Sequence, residues 1–147
     1  MNAGYARSFK ELRVYQKARE VSRAVFQLSK KFPKEETYSL TDQFRRAARL
    51  VGAQIAESWG KRRYERHFVS KLTDADAEQL ETQHWVSEAL DCGYISAGEA
   101  ALLNSGLAEI GRMLNSMMEK AGSFCGSPDG VLQEDPTDCF APMDSDQ

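Results

Sequence analysis

Apolar residues recur every three or four positions through most of this 147-residue chain. That spacing places them on one face of an α-helix, whereas a half-buried strand would show strict alternation. The stretches are separated by short segments that contain Pro or Gly, and no alternating β-branched run competes with them. The pattern predicts helices over residues 9–32, 39–59, 62–92 and 96–124. Four long helices with short connections predict an all-α fold, an antiparallel up-down-up-down four-helix bundle.

Local signals mark the ends of these predicted helices. Ser8 with Glu11, and Ser96 with Glu99, each fit a capping box, in which two side chains satisfy free backbone N–H groups. Gly93 follows the third stretch, where a glycine commonly ends a helix. The signals therefore predict the start of helices one and four and the end of helix three.

The predicted bundle covers residues 9–125 and follows a short N-terminal extension, 1–8. Residues 126–147 carry six acidic residues, three prolines and no basic residue. This composition is typical of a disordered segment, so we expect a disordered acidic tail. The rest of the chain has a net charge of +3, against −3 for the whole chain.

Composition also excludes several classes of protein. No apolar run is long enough to cross a bilayer, and the first residues lack the apolar stretch of a signal peptide, which predicts a cytoplasmic location. The three cysteines are widely spaced, so neither a disulfide scaffold nor a zinc site is expected. His67 and His84 lie about 25 Å apart along one helix and cannot share a metal ion. Because no catalytic or nucleotide-binding motif is present, we expect no enzyme activity, metal or cofactor.

Charge is divided unequally along the chain. Residues 1–71 hold 17 of the 19 Lys and Arg but 7 of the 22 Asp and Glu, a net charge of +10. Residues 72–147 have a net charge of −13. Such asymmetry indicates either an anionic partner for the first half or neutralisation between the halves.

The basic residues of the first half form clusters on and near helix two. Arginine presents a planar group that matches phosphate oxygens, which favours a nucleic-acid backbone as the partner. Trp59 and Tyr64 interleave with the second cluster and could stack on unpaired bases. No base-reading motif is present, so binding would depend on shape and charge. The candidate nucleic-acid-binding residues are Arg45, Arg46 and Arg49 on helix two, Lys61, Arg62, Arg63 and Arg66 at the turn after it, and Arg13 and Lys17 on helix one.

Polar residues also lie beside the apolar stripes of helices two and three. Buried polar groups must be hydrogen-bonded, so these residues predict an interior polar network or a subunit interface. A partly exposed bundle edge is the remaining alternative. The set comprises Gln43, Gln54 and Glu57 on helix two and Asp76, Gln79 and Gln83 on helix three.

Sequence motifs across residues 9–120 resemble those of a known family. Residues 9–18 read FKELRVYQKA, residues 43–48 read QFRRAA and residues 75–83 read ADAEQLETQ. The first is similar to the opening F-x-x-L-x-V-[WY]-Q-x-A, and the last to the G-S-x-x-E-L-E-x-Q stretch, of the four-helix-bundle proteins encoded in 23S ribosomal RNA intervening sequences. The chain departs from the family motifs at three polar positions: Gln54 replaces Asn, Ser58 replaces Gly and Gln79 replaces Glu.

The resemblance implies a homopentameric, ring-shaped assembly with a basic surface. Related accessory proteins of diversity-generating retroelements form such barrels and bind nucleic acid and a reverse transcriptase. The resemblance therefore implies affinity for RNA or DNA. The departures imply that the polar network of this chain differs from that of the family.

These observations together predict a non-enzymatic homo-oligomer, a pentamer, that binds structured nucleic acid, with RNA as the expected form. A protein adaptor that docks a partner such as a reverse transcriptase is the main alternative. In a further hypothesis the basic and acidic halves pair between subunits, which makes the charge purely structural. In another, the basic surface is only exposed to solvent and binds no partner. In a last hypothesis, the acidic tail folds back on the basic face and competes with nucleic acid.

Overall fold

The protein is built from α-helices. The computed structural model describes residues 6–126, and within that range there are four long helices and no strand. The predicted all-α class is therefore confirmed. The elements are a 3-10 turn at Phe9–Glu11, α1 Arg13–Ser29, a 3-10 turn at Lys34–Glu36, α2 Leu40–Gly60, α3 Glu65–Asp91, α4 Ala97–Glu119 and the short α5 Ala121–Phe124.

The four long helices pack into a bundle around one apolar core. α1 and α3 each pack against both α2 and α4. The core is formed by the residues that recur every three or four positions, because these fall on the inner face of each helix. Burial of each large apolar side chain contributes roughly 1.5–3 kcal/mol to stability. The largest fully buried apolar side chains are Val25, Phe44, Val51, Ile55, Phe68, Leu72, Val86, Leu107, Ile110 and Leu114.

The predicted start of helix one, at residue 9, is wrong. Phe9–Glu11 form a separate 3-10 turn, and α1 begins at Arg13. The break falls at Leu12, whose backbone is extended (φ −69°, ψ 131°) and whose side chain is buried in the core. The Ser8 hydroxyl accepts a hydrogen bond from the backbone N–H of Lys10 at 3.2 Å. Ser8 therefore caps the turn and not the helix. The predicted capping box with Glu11 is not formed, because the Glu11 carboxylate accepts instead from the backbone N–H of Arg7 at 3.2 Å.

Helix one also ends earlier than predicted, at Ser29 instead of residue 32. Pro33 disfavours helical backbone in the residue that precedes it. Phe32 turns into the core, where its ring lies 6.1 Å from that of Phe44 and 5.2 Å from that of Tyr94, measured between centroids. The turn after Ser29 is closed by hydrogen bonds from the N–H groups of Lys30, Lys31 and Phe32 to the carbonyl oxygens three residues earlier.

Helices three and four each differ from their predicted limits by several residues at one end and by one residue at the other. α3 begins at Glu65 and not at residue 62, because Lys61 to Tyr64 form a turn closed by a hydrogen bond from the Tyr64 N–H to the Lys61 carbonyl oxygen. α4 ends at Glu119 and not at residue 124. Lys120 leaves the helical conformation (φ −107°, ψ 26°), which separates α5 from α4.

Two predicted helix-end signals are confirmed. Ser96 and Glu99 form a complete capping box at the start of α4, with hydrogen bonds of 2.8 and 3.0 Å. Gly93 adopts a positive φ of 75° after α3. Its conformation allows the Tyr94 N–H to donate to the carbonyl oxygen of Ala89 at 3.0 Å, as in a Schellman motif.

The predicted acidic tail lies outside the described residues apart from Gly126, as do the first five residues of the N-terminal extension. None of the helices between residues 6 and 126 is both long enough and apolar enough to cross a membrane.

Candidate nucleic-acid interface

A groove of about 650 Å³ lies between α1 and α2. Its floor is made of small residues of α2, which leave space beside the larger side chains of α1. Aromatic rings form part of its wall, and arginines lie at its rim. We call this site the basic groove, and its main lining residues are Tyr15, Arg19, Arg23 and Phe26 of α1 and Ala48, Arg49, Gly52, Ala53 and Ala56 of α2.

Three cationic groups surround the Phe26 ring at the edge of the basic groove. The Nζ of Lys30 lies 4.9 Å from the ring centroid, and the Cζ atoms of Arg45 and Arg49 lie 4.7 and 5.7 Å from it. The Nε of Arg45 also donates to the Ser29 hydroxyl at 2.7 Å. In the described part of the chain, none of the three cations is ion-paired with a carboxylate. Cation–π contacts thus hold three positive charges close together.

The α1 side of the groove adds two arginines that the predicted set omits, Arg19 and Arg23. Arg19 donates from Nη1 to the Tyr15 hydroxyl at 3.2 Å, and its Cζ lies 6.0 Å from the centroid of that ring. The edge of the Phe9 ring packs on Tyr15 at 4.9 Å between centroids. The sequence does indicate this face, because Tyr15, Arg19 and Arg23 are spaced by four residues and therefore lie along one side of a helix.

The three arginines of the predicted cluster on α2, Arg45, Arg46 and Arg49, line one cavity of about 410 Å³ together with Asp42. Arg45 and Arg49 also contact Phe26, whereas Arg46 is close enough to Glu78 of α3 to affect its ionisation. Burial raises the pKa of Glu78, and the negative charge of Glu81 raises it further, whereas Arg46 lowers it. Arg46 thus belongs partly to the electrostatic environment of α3.

The second predicted cluster lies at the turn between α2 and α3. Arg62 is held by Trp59: its Cζ lies 3.6 Å from the ring centroid, and its Nε donates to the Trp59 carbonyl oxygen at 2.9 Å. Burial lowers the pKa of the Arg62 guanidinium. Arg63 lies over the Tyr64 ring at 5.7 Å. The rings that were candidates for base stacking are therefore covered, at least on one side, by arginines of the same chain. We call this site the corner cluster, composed of Lys61, Arg62, Arg63 and Arg66.

The two remaining predicted residues lie apart from these surfaces. Arg13 lines a separate, mainly apolar cleft of about 450 Å³ between the start of α1 and the end of α4. The Nζ of Lys17 is ion-paired with Glu20 at 3.3 Å and with Glu109 of α4 at 3.5 Å. The structure therefore does not bring Arg13 or Lys17 into the basic groove.

Comparisons with known proteins give the family of this chain. The sequence profile of the 23S rRNA-intervening sequence proteins matches residues 10–116. The chain belongs to this family. It is also similar to a crystal structure described as a protein with unknown function from the S23 ribosomal protein family from Bacteroides thetaiotaomicron VPI-5482. The two share 25% sequence identity and a TM-score of 0.65, over 72% of this chain and 98% of that chain. No curated protein matches this chain.

The polar residues of this intervening-sequence protein form two separate clusters. On α3, the Nε2 of Gln79 donates to Asp76 at 2.9 Å, and the Nε2 of Gln83 donates to Gln79 at 2.7 Å. Gln79 is 4% exposed and packs against Gly111 of α4, where a Cβ atom would lie 2.9 Å from its amide nitrogen. Side-chain hydrogen bonds thus join Asp76, Gln79 and Gln83 on α3, with Gln79 buried and the other two half-buried.

The polar residues of α2 belong to a different contact. The Nζ of Lys71 on α3 lies 3.3 Å from both Gln54 and Glu57, and 3.7 Å from Asp74. Gln43 is half-buried and makes no side-chain hydrogen bond with either cluster. The prediction of one network across both helices is therefore wrong, because the two sets face different neighbours.

The histidines pack against aromatic rings of their own helix region. His67 lies 5.4 Å from Tyr64 and His84 lies 4.7 Å from Trp85, measured between ring centroids. Between residues 6 and 126, no three His, Cys, Asp or Glu side chains come together in a group that could hold a metal ion.

Proposed function

We propose that this protein is a non-catalytic, cytoplasmic RNA-binding protein and that RNA binds along the basic groove. The observation that carries this proposal is the group of three cations around Phe26, none of which has a carboxylate partner in the part of the chain that the structure describes. Like charges held together repel each other, and a bound anion relieves that repulsion. Phosphate groups fit because they pair with arginine through two parallel hydrogen bonds.

The composition of the groove favours recognition of the RNA backbone over recognition of bases. Arg19, Arg23 and Arg49 lie on both sides of it, so phosphates of one strand can be contacted from both helices. The Ala and Gly residues on the α2 side present no side-chain hydrogen-bonding group to a base. Phosphate contacts fix position without reading sequence. We therefore expect affinity for structured RNA of many sequences.

We also propose that the bundle is antiparallel. Contacts between the connections support this topology. The Tyr94 hydroxyl, between α3 and α4, donates to Glu36, between α1 and α2, at 2.9 Å. The Gly126 N–H, after α5, donates to the carbonyl oxygen of Arg62, between α2 and α3, at 3.1 Å. Alternate connections therefore meet in pairs, as the up-down-up-down order requires.

The assembly we propose is a homopentameric ring. Contacts between unlike faces of neighbouring subunits are the kind that closes a ring. The count of five comes from what the resemblance to the intervening-sequence family implies. A ring would repeat the basic groove, so that weak contacts add through multivalency.

The proposal is tested by the salt dependence of binding to a labelled structured RNA, measured by fluorescence anisotropy. Phosphate contacts make log affinity fall with log salt by about 0.7–0.9 per contact. The double variant Arg19→Ala, Arg23→Ala should lower the slope by about 1.5 and weaken binding to different RNAs equally. The matched control, Arg112→Ala with Lys120→Ala, removes the same charge from the α4 side and should change both quantities less.

Equal effects of the two double variants would show that only net charge matters and would refute the assignment of the groove. Absence of RNA binding by the unaltered protein at low salt would refute the function itself.

The small residues of the groove floor favour a second function, as an adaptor for a protein such as a reverse transcriptase. An apolar groove between two helices can accept a helix of a partner. A complex with a reverse transcriptase that survives nuclease treatment and is lost on Gly52→Leu would favour the adaptor. Loss of the complex on nuclease treatment would favour RNA binding.

A further inference from the structure

The described chain ends beside the corner cluster. The Gly126 N–H is bonded to the carbonyl oxygen of Arg62, and Phe124 stacks on Phe68 of α3 with 5.8 Å between ring centroids. Gly126 has a φ of 93°, a conformation that glycine adopts far more readily than other residues. These contacts set the point from which residues 127–147 continue.

The corner cluster lies in a strongly basic stretch of the sequence. Four of the six residues at positions 61–66 are basic, and Glu65 is the one acid among them. Neither Lys61 nor Arg63 is ion-paired within the range that the structure describes. The nearby acid Glu57 is itself paired with a lysine of α3. An additional anionic partner would therefore lower the electrostatic energy of this corner.

We propose that the acidic residues of 127–147 bind the corner cluster of their own chain and compete there with RNA. The segment carries six acidic residues and no basic one. Its first acid, Asp129, follows Gly126 by three residues and so lies within about 10 Å of it along the chain. Because the segment is covalently attached, its effective concentration at the corner cluster is on the order of millimolar. The inference rests on the proposed function and adds to the basic groove a second RNA contact, at the corner cluster, which the acidic segment would block.

Attachment alone does not select the corner cluster over other basic sites. Twenty-one residues extend to at most about 70 Å, which is longer than α2. Lys34 lies before the start of α2 and Lys61 after its end, about 30 Å apart along that helix. Residues 127–147 can reach lysines at both places, so cross-linking to Lys61 in preference to Lys34 would indicate a specific contact.

That preference is tested on the full chain by carbodiimide cross-linking, which joins a lysine amine to a carboxylate in contact with it. Peptide mass spectrometry should find Lys61 linked to Asp129, Glu134 or Asp135. The links should disappear at about 1 M salt, where the Debye length is about 3 Å. Equal cross-linking of all lysines, or no cross-link to Lys61, would refute the proposed contact. The control lysines are Lys30, Lys31 and Lys34.

Competition with RNA is tested with a full-length variant in which the six acids become amides. It should bind structured RNA about tenfold more tightly than the unaltered chain at low salt, because an intramolecular competitor is removed. Adding Lys61→Ala and Arg63→Ala should abolish this gain. The substitutions are Asp129→Asn, Glu134→Gln, Asp135→Asn, Asp138→Asn, Asp144→Asn and Asp146→Asn.

The results separate this inference from the proposed function. Equal RNA affinity of the amide variant and the unaltered chain would overturn the competition, even if cross-links form at Lys61. If neither protein binds RNA, the proposed function fails, while the cross-links still decide whether the segment occupies the corner cluster.

Discussion

Gly111 of α4 provides a sharp test of the packing around the buried glutamine of α3. The change is Gly111→Ala, which adds one Cβ atom 2.9 Å from the Nε2 of Gln79 and 3.4 Å from a carboxylate oxygen of Asp76. Distances below about 3 Å are not tolerated, so the amide must move. Gln79 is buried and bonded to Asp76 and Gln83, and movement therefore breaks hydrogen bonds.

Two opposing effects determine the change in the free energy of unfolding. Unpaired buried polar groups cost about 1–3 kcal/mol. Alanine is favoured over glycine in a helix interior by about 1 kcal/mol. We therefore expect Gly111→Ala to destabilise the protein by roughly 0–2 kcal/mol. In the Gln79→Ala background the obstacle is absent, so the same change should stabilise by about 1 kcal/mol.

The assay is urea unfolding followed by circular dichroism for the two single variants and the double variant. Protein concentration must be held constant, because oligomerisation makes apparent stability depend on it. The expected coupling between Gly111 and Gln79 is about 1–3 kcal/mol. Gly98→Ala in the same helix is the control, since its Cβ would meet only Ser96 at 3.9 Å. Zero coupling, with Gly111→Ala stabilising equally in both backgrounds, would refute the reasoning.

Three further predictions concern the ends and the surface of the bundle. Ser96→Ala removes the cap of α4 and should lower the free energy of unfolding by about 1 kcal/mol, measured by urea unfolding. The hydrogen bond to Glu36 raises the pKa of Tyr94 from 10.0 to about 12, so its contribution to stability is complete below pH 10 and is lost as the pH rises through 12. An ultraviolet titration should show one tyrosine near 12 that Tyr94→Phe removes. Glu109→Gln breaks a partly exposed ion pair with Lys17 and should change stability by less than about 1 kcal/mol.

The helices could be predicted because one physical rule, burial of residues at helical spacing, acts along the whole chain. Their ends could be predicted where the signal is local, as in the capping box at Ser96 and the glycine at 93. The prediction failed at Leu12 and after Ser29, where the backbone leaves the helix although the apolar spacing continues and Leu12 and Phe32 are buried. These helix ends depend on contacts with the neighbouring helices, so the local sequence alone does not predict them.

The candidate site was harder to predict because adjacent residues on a helix point in different directions. Arg45 and Arg46 are neighbours in the sequence, but they lie about 100° apart around the helix axis. Arg45 contacts Phe26, whereas Arg46 lies near Glu78 of α3. The basic groove also needs α1, whose Arg19 and Arg23 become relevant only once α1 is seen beside α2.

Counting basic residues overstates the charge that is available to a ligand. Arg62 is covered by Trp59 and Lys17 is ion-paired with Glu20 and Glu109, although in the sequence they look like any other cation. The useful quantity is the number of cations without an anionic partner, and that number depends on tertiary contacts. By this measure the cations around Phe26 count fully toward a site, because none of the three is ion-paired within residues 6–126.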